Sequence, residues 1–208
     1  LPRNIGRTRR SGRLPLSAAL RAPLLQLDLF VFLLHTMLTA MFVALPFVLS
    51  DRLGIALASH WYIYVGALLL SLAGTVPLIL RDERRGKRST LLIAVALLMA
   101  GQLSLFVPGG NQWLVLLALA VFFAGFNFLE AALPARLSIL AEGELRGASL
   151  GLFSSCQFSG AFAGGLLGGL LLTGGDVGRV FLACAALAGL WLLVLGLSEQ
   201  RSKAVETT

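Results

Sequence analysis

The chain has 208 residues, 57% of them hydrophobic and only 13% charged, and its mean hydropathy of +0.87 excludes a soluble domain with a hydrated surface. A net charge of +7 would suit a nucleic-acid partner if the basic residues shared one folded face, but they lie between apolar runs, so the charge reads as membrane topology. Cys156 and Cys184 sit inside apolar stretches without CxxC or histidine spacing, which argues against a disulfide framework or a metal site and leaves them as small packing residues.

In chain order, residues 1–27 are basic and interrupted by Pro2, Pro15 and Pro23. The apolar run that follows is too long for the core of a signal peptide and lacks a small-residue cleavage site, so 1–27 reads as a cytoplasmic linker. The first residue is Leu, which suggests a fragment or an unusual start. A helix crossing roughly 30 Å of hydrocarbon needs about 20 mainly apolar residues at about 1.5 Å each. Six stretches qualify: 29–49, 61–80, 90–107, 113–133, 148–172 and 178–197. They define a six-helix bundle over 28–198 and a tail over 199–208. Trp61, Tyr62, Tyr64 and Trp113 lie near span ends, where amphipathic rings favour the interface.

Lys and Arg in short loops resist translocation. One side collects the N-terminal arginines, the segment Arg81, Arg84, Arg85, Lys87 and Arg88, then Arg136, Arg146, Arg201 and Lys203; only Arg52 and Arg179 fall on the other. Both termini are therefore expected in the cytoplasm. Spans one to three and four to six start at offsets of about 84–89 residues, and because three is odd the triplets insert with opposite sense. The fold expected is an all-α membrane protein of six transmembrane helices built as two inverted three-helix repeats. Polar residues cluster in spans one, four and five, and span six is almost purely apolar, so span six is expected against lipid.

Polar groups inside a span are costly and mark function by default. His35, Thr39, Asn127, Glu130, Ser154 and Gln157 are the candidates for a substrate cavity or coupling site. His35 reads either as a proton relay or as a neutral hydrogen-bond partner between helices. Glu130 sits near the expected end of span four, before Pro134, and reads either as a proton carrier or as an ion paired with Arg146, which the shallow depth favours. Gly160, Gly164, Gly165, Gly168 and Gly169 form a small-residue stripe on span five, suited to close helix packing or to sliding during a conformational cycle. Arg81, Asp82, Arg84, Arg85, Lys87 and Arg88 between spans two and three, with Arg146, form a cytoplasmic charge loop that reads as a topology and anionic-lipid signal or as a gating clasp.

The run from Asn127 to Gly169, NFLEAALPARLSILAEGELRGASLGLFSSCQFSGAFAGGLLGG, and the loop RDERRGKRS resemble the C-terminal six-helix half of the major facilitator superfamily, in the branch near the drug/proton antiporters. The resemblance covers the chain from Asp28 on. It implies proton-coupled efflux of a small molecule by alternating access, in a bacterial inner membrane, with a missing N-terminal six-helix half and membrane lipids as partners and no cofactor. The alternative is a six-helix membrane scaffold that transports nothing. An enzyme is disfavoured, because Ser154 and Ser155 lack a GxSG context and there is no HExxH or phosphate-binding loop.

Overall fold

The computed structural model describes residues 21–85, 87–107, 111–141, 143 and 145–206. Among the described residues six helices are long and apolar enough to cross a membrane and there is no strand. They are α1 (Ala22–Phe47, extended by a π turn Val48–Arg52), α2 (His60–Arg85), α3 (Lys87–Phe106), α4 (Gln112–Leu140), α5 (Leu145–Leu172) and α6 (Gly178–Glu206). The helices overrun the expected spans. α1 opens at Ala22, inside the expected linker, because Pro23 falls in the first turn, where a missing N–H costs nothing. α4 runs through Pro134 for two further turns. Proline is tolerated there because neighbouring helices support the chain, but it leaves the carbonyl of Glu130, four residues back, without its helical donor. The charged segment expected as a loop is largely helical: Arg81 to Arg85 close α2 and Lys87 opens α3. Gly86 and the side chains of Arg85 and Lys87 lie outside the described residues.

The principal pairings are α1 with α5, α2 with α4, α3 with α4, α3 with α6 and α1 with α6. Exchanging α1–α3 for α4–α6 returns the same set, the relation expected of a three-helix repeat. The α1–α5 pair is the tightest, and glycine makes it possible. A β-carbon at Gly160 or Gly164 would overlap the backbone carbonyl of Phe32 or Thr36, and one at Gly168 would lie 2.9 Å from Val43 Cβ. Gly165 and Gly169 are not part of that seam: a β-carbon at Gly165 would make ordinary contact with Thr39 at 3.8 Å, and at Gly169 it would meet nothing. The reason is helical register, since steps of four stay on one face while the neighbouring positions turn about 100° away.

α6 does not simply face lipid. Val180, Phe181, Cys184, Ala188 and Trp191 are buried, whereas Leu182, Leu190 and Leu193 are exposed. Its buried face meets α1 and α3, where Trp191 packs on Phe30. Core and lipid are equally apolar solvents for a side chain, so hydropathy does not separate the two faces. The barest surfaces belong to α2 and α5: Phe158 and Phe162 are 73% and 76% exposed.

Candidate functional site

Three polar side chains from three helices meet near mid-depth. His35 lies 13 residues into α1, Gln157 12 residues into α5 and Glu130 10 residues before the end of α4, placing all three about 15–20 Å from the same end of the bundle. His35 Nδ1 is 3.1 Å from the carbonyl of Val31. A carbonyl only accepts, so Nδ1 carries the proton, and in neutral imidazole Nε2 is then the acceptor. Gln157 Nε2 lies 2.9 Å from that atom and donates to it, and donates also to Glu130 Oε1 at 3.2 Å. The second carboxylate oxygen, Oε2, is 3.5 Å from His35 Nε2. Phe126, one turn before Glu130, sets its ring against the imidazole with centroids 5.8 Å apart.

The cluster is unevenly exposed: the His35 side chain is 10% accessible and that of Glu130 41%. The Glu130 side chain thus lies nearer the opening than the imidazole, while its Oε2 is itself buried and accepts no hydrogen bond among the described residues. The geometry offers two positions for one proton, His35 Nε2 and Glu130. Gln157 bridges them with both amide hydrogens when neither holds it.

The expected pair of Glu130 with Arg146 is not formed. Arg146 donates to the carbonyls of Ser138, at 2.9 Å, and Ala141, at 3.4 Å, satisfying orphaned acceptors at the end of α4. Because α4 continues past Pro134, Glu130 is also deeper than its expected place near the cytoplasmic edge, and the shallow-depth argument against proton carriage falls away.

The remaining candidates go elsewhere. Asn127 Nδ2 donates to Ser71 Oγ at 3.0 Å, joining α4 to α2, and Thr75 reaches the Ala124 carbonyl on the same seam at 3.4 Å. Thr39 meets α5 near Gly165, and Ser154 is exposed. Thr36 donates to the Phe32 carbonyl at 2.8 Å and to that of Gly160 at 3.1 Å, a polar link within the α1–α5 seam.

Of the charge segment, Asp82 accepts from Arg136 of α4 at 2.8 Å, with side chains 19% and 14% accessible. Arg88 reaches across to the carbonyl of Leu195 on α6, and Arg84 is exposed. Arg81 lines a shallow surface hollow with Pro77, Leu80 and Arg84. Arg136 carries the ion pair, a role sequence reasoning did not assign it. At the opposite end, His60 was also missed: its Nε2 donates to the Ile55 carbonyl at 3.0 Å and lies 3.4 Å from Ser50 Oγ, tying the π turn of α1 to α2. Its place next to Trp61, at a span end, hid it from any periodicity. Among the described residues no group of three His, Cys, Asp or Glu is placed to hold a metal ion.

Six long apolar helices, paired as two related triplets around a polar cluster, define an integral membrane protein of the transporter-like helical class. The sequence pattern of the Major Facilitator Superfamily matches residues 27–207, and the chain belongs to that family. It is 34% identical over 172 residues to the inner membrane transport protein YajR of Escherichia coli K12, covering 82% of this chain and 38% of that protein. It is 28% and 29% identical to two uncharacterized transporters of Buchnera aphidicola, from the Acyrthosiphon pisum and Baizongia pistaciae strains, over 64% and 72% of the chain and 34% and 39% of those proteins. The chain thus spans well under half the length of the curated relatives it matches.

Proposed function

We propose that this chain is the C-terminal half of a secondary transporter that moves a small molecule across a bacterial inner membrane by alternating access, and that the His35–Gln157–Glu130 cluster carries the coupled proton. The observation that carries the reading is the Gln157 amide donating at once to His35 Nε2 and to Glu130 Oε1. With the cluster deprotonated at Nε2 and at the carboxylate, both amide hydrogens are used and the three helices are tied together. A proton arriving at Nε2 turns that atom from acceptor to donor. Imidazolium then faces Glu130 Oε2 directly, and the Gln157 amide must turn its oxygen to Nε2–H or withdraw. Proton uptake therefore rearranges the contact between α1, α4 and α5, and that is how a charge change becomes a helix movement.

Several features support the rest of the reading. The bare apolar faces of α2 and α5 suit a second six-helix half, and the symmetric pairing suits inverted repeats. Fifteen of the 17 Lys and Arg residues fall on one side if both termini are cytoplasmic. The asymmetry in favour of transport over catalysis is chemical: at the Ser50–His60 contact the nitrogen facing the hydroxyl is the one that donates to Ile55, so it is no general base. Efflux is the direction the branch implies.

The test uses the intact transporter reconstituted in liposomes, with ethidium as the probe. Glu130→Gln should abolish ethidium movement driven by a pH gradient and retain equilibrium exchange. Loss of both activities in a folded protein, or full gradient-driven transport, would remove Glu130 from the coupling role.

A further inference from the structure

At the end of the bundle that carries most of the basic residues, α1, α3, α4 and α6 leave a groove of about 430 Å³, within the range of sites that hold small ligands. Its floor is apolar, with Phe30 and Leu91 buried. Its polar groups are Gln26 and the guanidinium groups of Arg88 and Arg136. On one lip Ile139 and Leu140 are 64% and 52% exposed. The groove lies on the end side of the His35 cluster: from its lining residues Phe30 and Arg136, His35 and Glu130 are five and six residues deeper, about 7–9 Å of helical rise.

We infer that this groove binds an anionic phospholipid, with the phosphodiester held at Arg88 and Arg136 and the acyl chains leaving over Ile139 and Leu140. The charge selects the headgroup: a planar guanidinium fork matches phosphate oxygens, and basic pockets between membrane helices on the cytoplasmic side recruit anionic headgroups. The apolar floor and the greasy lip select a lipid over a soluble anion, which would leave both surfaces wet. Arg136 is shared with Asp82 of α2 and Arg88 with the Leu195 carbonyl. A lipid phosphate at this point therefore bears on contacts that tie α4 to α2 and α3 to α6.

The inference rests on the proposed topology only for the leaflet involved, since binding can be measured in micelles, which have no sides. Intact protein in dodecyl maltoside is mixed with phosphatidylglycerol or phosphatidylcholine and the retained lipid is counted by native mass spectrometry. Phosphatidylglycerol should be retained preferentially. Arg88→Gln should lower its retention about fivefold, the effect of one basic residue near an anionic headgroup, and Arg88→Lys, which keeps the charge and loses the fork, should fall between the two. Gln26→Lys adds a charge at the rim without touching the existing contacts and should raise retention by a similar factor, so the inference does not depend on a destabilised variant. Equal retention of the two lipids by the unaltered protein would overturn it, as would a Gln26→Lys protein with unchanged preference. Displacement of phosphatidylglycerol by millimolar glycerol phosphate would also overturn it, by assigning the groove to a soluble anion.

Discussion

Gln157 is the residue on which the polar cluster turns, because its amide donates to two acceptors on two other helices, His35 Nε2 and Glu130 Oε1. Gln157→Leu removes both donations and should lower the stability of the intact protein by about 1–3 kcal/mol, the cost of leaving buried polar groups unmet. Thr36→Val also deletes a link between α1 and α5, but the hydroxyl has the Phe32 carbonyl of its own helix as a second acceptor. Interhelical hydrogen bonds of that kind average about 0.6 kcal/mol in membranes, so Thr36→Val should be the milder change. Thermal unfolding of the two variants side by side checks the order, and the reverse order would mean that the seam, not the cluster, holds these helices. His35, Glu130 and Gln157 could each be singled out from sequence because polar groups are rare in spans. Their mutual contact could not. Taking Pro134 as the end of the fourth helix put Glu130 at the membrane edge, within apparent reach of Arg146, and only the longer helix brings it level with His35.

Among elements, the α1–α5 seam makes a discrimination inside a single glycine stripe. Gly164→Ala would press a methyl group into the Thr36 carbonyl, whereas the same change at Gly169 meets open space. We expect Gly164→Ala to cost about 1–3 kcal/mol and Gly169→Ala to be close to neutral, read as detergent-solubilised monodisperse protein after heating. Equal effects would show that the seam closes differently. The stripe itself was legible; which of its glycines touch α1 was not, because that depends on the angle at which α5 meets its neighbour. The Asp82–Arg136 pair is a second link between elements, joining α2 to α4 where both side chains are largely enclosed. Removing one partner of an enclosed pair strands the other charge. Arg136→Ala should therefore destabilise the protein, and the exchange Asp82→Arg with Arg136→Asp should recover part of the loss in the same unfolding assay. Recovery of nothing would make the site intolerant of geometry as well as charge. The α6 helix marks the limit of hydropathy as a guide, since both its faces are apolar and only packing tells them apart.

At the scale of the molecule, six spans were readable because length and hydropathy are set by the bilayer and owe little to packing. Orientation rests on the basic residues and is open to direct measurement. In a protein with Cys156 and Cys184 replaced, Leu57→Cys, at an exposed position before α2, should react with an impermeant maleimide in intact cells. Arg84→Cys, exposed at the far end of the same helix, should react only after permeabilisation. The opposite pattern would invert the bundle. The exposed faces of α2 and α5 bear on the proposed assembly: if the chain is half of a transporter, expressed by itself it should insert in the membrane yet show no gradient-driven ethidium movement, and coexpression with the proposed N-terminal six-helix half should restore it. Pro134 has a mechanical meaning at this scale. Pro134 leaves the peptide carbonyl of Glu130 without its helical donor, so the interior of α4 is weakened at the residue proposed above to take the proton. α4 is then a jointed lever. Its lower arm carries the Asp82–Arg136 clasp, its upper arm packs by Gly125 on the backbone of Ala94, and in the proposed cycle the fulcrum is also the point at which charge would arrive.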